Sequence, residues 1–183
     1  MSVRDSRRQI VLERLADHVL KVGLRGASLR PLAAAAGTSN RMLLYYFTDK
    51  DELLAATIGH LSDRLLHLLN SSWPVSKPAR FDELLAAIWK TMQTPQMRPY
   101  MQLWLELAAI AGRGDEPIRS IAGQISDGFL AWAAARLKAT DATDRATKAS
   151  RFLVTIEGML VLDSVGRGAA ARRALIKKDS KLS

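Results

Sequence analysis

Thr38, Ser39, Asn40 and Arg41 stand in a row, and Tyr45, Tyr46 and Lys50 follow closely. These side chains share one kind of chemistry. Hydroxyls bond phosphate or a base edge, Asn suits adenine, and Arg suits guanine through a two-pronged fork. The tyrosines end the stretch with phenol groups that can meet sugar and phosphate. Lys50 falls where a helix should start, beside backbone N–H groups that also favour a phosphate. With Ser28 and Arg30 just upstream, they form a candidate surface for double-stranded DNA.

Such a surface needs short elements set against each other, and the surrounding pattern supplies them. Val11, Leu15, Val19 and Val22 form one helical stripe, which Gly23 should end. Ser28 is a suitable N-cap for a second, short helix with Pro31 in its first turn, and Gly37 should close it. A third short segment spans about residues 39–46. Asp49 and Glu52, three apart, then form a capping box that opens a long helix through Leu53, Leu54, Ile58, Leu61, Leu65 and Leu69. Two short helices joined by a tight Gly-containing turn, after one longer helix, describe a helix-turn-helix, whose second short helix presents its N-terminal residues to the DNA major groove. Phe47 reads as core in this arrangement. Tyr46 is open between core and DNA, and Tyr45 leans to DNA.

The span from about Arg7 to Leu54 resembles the N-terminal domain of the TetR (tetracycline repressor) family of transcription regulators. The matching pieces are QIVLERLADHVLKVGLRGASLRPLAAAAG, the recognition segment TSNRMLLYYF and the closing DKDELL. The family often ends its recognition helix in Leu-Tyr-x-His-Phe, with a lysine at the next helix start. Leu43, Tyr46, Phe47 and Lys50 align with its Leu, His, Phe and Lys, while Leu44 replaces the usual tyrosine. The resemblance implies a homodimer on a palindromic operator, with a larger C-terminal domain that binds a small-molecule effector and so lowers DNA affinity. The expected division is residues 1–50 for DNA binding and 51–183 for effector binding and dimerisation.

The whole-chain totals fit an all-α protein. The 183 residues are 48% hydrophobic but only 6% aromatic, and no period-2 strand pattern occurs. Net charge is +9, with nine Lys/Arg against six Asp/Glu in residues 1–60, twelve against eleven in 61–165, and six against one in 166–183. The excess at the two ends suits a polyanion, or simply a solvated surface. Absence of cysteine excludes disulfides and thiolate metal sites. No signal-peptide layout and no apolar run of about 18 residues is present, so the expectation is a cytoplasmic protein without membrane attachment.

Beyond the head, SSWPVSKP (71–78) reads as a linker. Large groups on three successive helices, Trp89, Met92, Trp104, Phe129 and Trp132, are candidates for an effector pocket suited to an apolar or aromatic molecule, although plain core packing is the commoner role for any one of them. Glu106, inside an apolar run, could meet a cationic ligand, but the favoured expectation is that it faces water or an arginine. FLVTIEGMLVLDSV (152–165) is apolar nearly all round and needs cover on both sides. The simplest cover is the same helix of a second subunit, with Phe152, Ile156, Met159 and Leu160 as candidate dimer contacts. His60 and His67 share a helix face but lack partners for a metal, and the two Gly-x-Gly pieces follow no strand. No cofactor is implied. A helical enzyme lacks its catalytic constellation here, and an architectural DNA binder would not need a near-neutral body. The tail 166–183 should form a short helix and then fray.

Overall fold

The computed structural model describes residues 3–173 and residue 175. Among them the regular elements are helical, apart from one isolated bridge between Ala79 and Leu137. In order they are α1 (Val3–Val22), a 3₁₀ turn (Leu24–Gly26), α2 (Leu29–Ala36), α3 (Asn40–Tyr46), α4 (Lys50–Ser72), α5 (Phe81–Met92), α6 (Arg98–Ala111), α7 (Glu116–Ala134), α8 (Ala142–Ser164) and α9 (Gly168–Arg173). The short final helix expected in the tail is α9; residue 174 and residues 176–183 lie outside the described residues.

The chain separates into two compact units. The first joins Met1–Leu68 to Pro95–Ile125, and the second joins Leu69–Thr94 to Ser126–Ser183. The first thus holds all of the 1–50 segment and adds most of α4, α6 and the start of α7 to it.

In the first unit α1 buries Val11, Leu12, Leu15, Ala16 and Val19, while Val22, the last member of the expected stripe, is exposed. Leu32, Leu43, Phe47, Leu53 and Ile58 complete this core. Each of the Val, Leu, Ile and Phe side chains contributes about 1.5–3 kcal/mol relative to exposure, and Ala16 less. Phe47 is core, as its residue type suggested.

Local capping explains where the short helices stop and start. Gly37 adopts a left-handed conformation (φ 67°), and the Gly37 and Thr38 amides donate to Ala34 and Ala33 carbonyls. Arg14 also donates to the Ala36 carbonyl at 2.9 Å, so a Cβ at Gly37 would meet its guanidinium. The left-handed backbone favours glycine there, and any side chain would also have to displace the Arg14 guanidinium. Ser39 caps α3 by accepting from the Met42 amide (3.2 Å). Ser28 holds the N-cap position of α2 by its backbone, but its hydroxyl makes no capping bond. Asp49 accepts from the Glu52 amide (2.8 Å), while the Glu52 carboxylate reaches back to Thr48, one residue before the expected partner. The Thr48 bonds, and to a lesser extent the Arg8 charge, hold the Glu52 carboxyl below its ordinary range.

Glu106 corrects its sequence expectation. Its carboxylate faces neither solvent alone nor an arginine. It accepts the backbone N–H groups of Leu24 (2.8 Å) and Arg25 (3.1 Å), the orphan donors at the start of the 3₁₀ turn. The adjoining Gly23 has φ 74°, and a Cβ there would lie 2.6 Å from the Glu106 oxygen. A residue of α6 thereby fixes the link between α1 and α2.

In the second unit Phe129 stacks on Trp132 (5.6 Å between centroids) and on Phe152 (6.1 Å), and Phe81 meets Phe152 edge-on. The 71–78 segment is more than a linker. Trp73 is buried and donates to the Lys77 carbonyl (2.7 Å), and Ala79 exchanges backbone bonds with Arg136 and Lys138 (both 2.8 Å). Its Pro and Ser residues do end α4, yet the Trp73 ring anchors the connection to α5.

Candidate nucleic-acid interface

Helices α2 and α3 place most of the expected DNA-reading residues in solvent. Ser28, Arg30, Ser39, Asn40, Arg41, Tyr45 and Lys50 are exposed, and Thr38 is half-buried. Asn40 and Arg41 are the first two residues of α3, the end that a recognition helix presents to base edges. Lys50 opens α4.

Tyr46 departs from this set. It is only 9% exposed, and its ring meets Tyr45 edge-on at 5.4 Å. The ring serves as a buttress because position 46 falls on the same inward side of α3 as Leu43. Tyr45, by contrast, is 58% exposed. Residue type alone could not separate two adjacent tyrosines; the helix phase does.

Three further groups belong to this surface. Met42 and Leu44 are exposed on α3 and offer apolar contact of the kind that a thymine methyl accepts. Arg4, on the first turn of α1, donates from Nη2 to the Tyr45 carbonyl (3.2 Å) and stands 5.1 Å from the centre of the Tyr45 ring. The signal that could have found it is the i, i+3, i+4 spacing of Arg4, Arg7 and Arg8. Arg8 is spent internally, over Phe47 (4.7 Å) and near Glu52 (3.8 Å).

Helix α4 is tied to α1 by charge. Arg64 donates to Asp17 (2.8 Å) and lies 3.7 Å from Glu13; the Asp17 bond, above all, raises the guanidinium's already high pKa. His60 Nε2 lies 3.0 Å from Glu13 without hydrogen-bond geometry, and its Nδ1 is 3.5 Å from Gln9. Among the described residues no group of three or more His, Asp or Glu could hold a metal ion.

Of the five residues expected to line a pocket, Trp104 belongs to the first unit and the other four to the second. Trp89, Met92, Phe129 and Trp132 are buried in the second unit. There they fill the core, and Trp132 Nε1 is taken by Asn70 (3.0 Å). Trp104 borders a small hollow. It lies in the first unit, where Ile58, Leu61, Tyr100, Leu103 and Trp104 line a half-open hollow of about 30 Å³. This is room for a water molecule or two. An open cleft of about 520 Å³ adjoins it through Ser62 and Ile125 and carries Asp51, Glu52 and Asp63, with no Lys or Arg among its lining residues. A second cleft, of about 370 Å³, adjoins through Tyr100.

The candidate dimer contacts also need correction. Phe152, Ile156, Met159 and Leu160 are buried at 0–6% exposure inside this chain. The open face of α8 is instead Val154, Val161, Leu162 and Val165, with Gly158 exposed among them. The residues expected on the outer side of this helix are its inner ones. Burial pushes the Glu157 carboxyl of this helix above its ordinary pKa.

Comparison with known proteins agrees with this geometry. Residues 18–57 match the family described as bacterial regulatory proteins, tetR family. Over 105 residues the chain is 32% identical to the HTH-type transcriptional regulator BetI of Pseudomonas fluorescens, covering 54% of this chain and 51% of that protein. The chain thus spans about half the length of the curated relatives it matches. The fold is similar to the crystal structure of a putative TetR-family transcriptional regulator from Rhodococcus sp., with TM-score 0.72 and 20% identity over 93% of this chain and 95% of that one. It is also similar to a putative transcriptional regulator from Saccharomonospora viridis in complex with choline, with TM-score 0.70 and 18% identity over 93% and 94%. No helix among the described residues is long and apolar enough to cross a membrane.

Proposed function

We propose that this chain, a member of the TetR family of bacterial regulatory proteins, is a DNA-binding transcriptional regulator. It acts in the cytoplasm as a homodimer on a palindromic operator, and a small-molecule effector releases it as a repressor. The observation that carries this reading is the exposed row on α3: Asn40, Arg41 and Tyr45 standing open on a helix whose other side, Leu43 and Tyr46, is core. A short helix held by its neighbours has no packing reason to present that set.

Selection of random duplexes by the purified protein, followed by sequencing, tests it. A palindrome is expected, with half-sites about one helical turn apart. Arg41→Ala should weaken the selected site by about 1–3 kcal/mol and relax one base position. No enriched sequence, from protein of intact fold, defeats the reading.

The effector site in this reading is the small cavity with its adjoining clefts, not the aromatic core of the second unit. The small hollow alone, about 30 Å³, is well below the roughly 300 Å³ of a ligand pocket, so a ligand seated there would part α4 from α6. Tyr100 and Trp104 offer rings for an apolar or aromatic body, and the three carboxylates of the larger cleft favour one with positive charge. The choline bound by the S. viridis protein has that chemistry. Choline and larger quaternary ammonium compounds are therefore expected to raise the melting temperature of this protein, and Trp104→Leu to abolish the shift. If no member of the series shifts it, the cavity is not a cation site.

A further inference from the structure

The first turn of α1 meets the recognition helix at its far end. Arg4 closes two gaps there at once. It satisfies the Tyr45 carbonyl, one of the last four of α3 and so without a helical partner of its own. It also lies against the Tyr45 ring, which Tyr46 supports from another side. The exposed phenol is thus held between a guanidinium and a buried ring.

This arrangement does not neutralise Arg4. Its two contacts on α3 are a carbonyl and an aromatic ring, and neither is an anion. The bond to Tyr45 uses one of five N–H donors in a rigid fork that matches phosphate geometry. Arg8, one turn on, shows the contrasting case, since Glu52 lies within ion-pair distance of it. Arg4 and Tyr45 are both exposed. A positive fork and a phenol side by side, next to a helix that reads bases, are complementary to a phosphodiester backbone.

We propose that Arg4 is a DNA-contacting residue: its guanidinium holds a backbone phosphate of the operator and at the same time orients Tyr45 toward the same strand. The inference rests on the reading of α3 as the recognition helix and extends the interface to α1.

The test compares wild type, Arg4→Gln and Arg4→Lys on the selected duplex and on a scrambled one, from roughly 50 to 200 mM salt. Arg4→Gln should weaken both duplexes by a similar factor, on the order of 5- to 10-fold at the upper salt, because phosphate carries no sequence. The slope of log affinity against log salt should fall by about 0.9, one phosphate's worth. Arg4→Lys keeps the charge and should keep the slope. A purely structural cap predicts otherwise: Arg4→Gln would leave the slope at its wild-type value, and that result overturns the proposal. Failure of the wild type to prefer any duplex would instead defeat the reading of α3, so the two failures are distinct. Arg4 is exposed at a helix end, and unchanged circular dichroism of the variants would show that the fold survives.

Discussion

Replacing Arg136 by alanine is expected to lower the unfolding free energy by about 2–4 kcal/mol, a large part of the roughly 5–15 kcal/mol typical of a domain. Arg136 is only 6% exposed, although arginine is rarely inside. Its fork is nearly filled: Nε donates to the Trp73 carbonyl (2.8 Å), Nη1 to the Trp132 carbonyl (3.0 Å) and Nη2 to Asn70 Oδ1 (2.6 Å). The guanidinium also lies 4.3 Å from the centre of the Trp132 ring. These partners are carbonyl oxygens and a ring, not a carboxylate, so burial draws its pKa down.

Alanine would leave the Trp73 and Trp132 carbonyls without their donor, each at about 1–3 kcal/mol and partly offset by relaxation, while Asn70 Oδ1 would keep its bond from Trp132 Nε1. Methionine keeps most of the stem's volume and should recover only the packing part. Urea titration followed by tryptophan fluorescence measures both variants, since Trp73 and Trp132 flank the site. An alanine variant within about 0.5 kcal/mol of wild type would show that the buried guanidinium is not structural.

The second large effect concerns assembly. Val161→Asp is expected to convert the proposed dimer to a monomer in sedimentation, with the fold retained. Val161 is 50% exposed, Val154 71% and Val165 65%, so the substitution disturbs nothing inside the chain. These three positions repeat at seven and four residues along α8, one stripe of a helix surface. Gly158 between them has open space over its Cα, which lets a facing helix approach closely. An apolar face of this kind on an otherwise charged chain fits a second copy about a twofold axis. Loss of the dimer should cost a full palindrome on the order of 100-fold in affinity, through lost bivalency, while a single half-site binds as before. A Val161→Asp protein that remains dimeric would place the seam elsewhere.

The two regions differ in how far the amino-acid sequence alone could describe them. The head was legible because its signals are local. Gly37, Ser39, Asp49 and Glu52 act on backbone groups within four residues of themselves, so their spacing carries their role. Helix α8 was not legible in phase. When both faces are apolar, periodicity cannot say which faces inward, and Phe152 and Ile156 were as plausible outside as Val154 and Val161. The aromatic residues raised the same difficulty: Trp132 and Phe129 have the composition of a pocket wall and the packing of a core. Tyr46 lay one residue from Tyr45 and needed only the correct rotation about α3.

Glu106 belongs to a third class, because its partners lie 81 and 82 residues earlier. That separation has a consequence for the order in which the molecule can be made. A chain emerging from the ribosome at about 5–20 residues per second completes α1 to α3 well before residue 106 exists. During those seconds the amides of Leu24 and Arg25 have only water, and the joint between the first two helices lacks its carboxylate. Closing so long a loop is a late event in folding as well as in synthesis, since its entropy must be overcome before the contact forms. The reading head is thus assembled early in outline and set late in angle, by a residue from the helix that also borders the cavity.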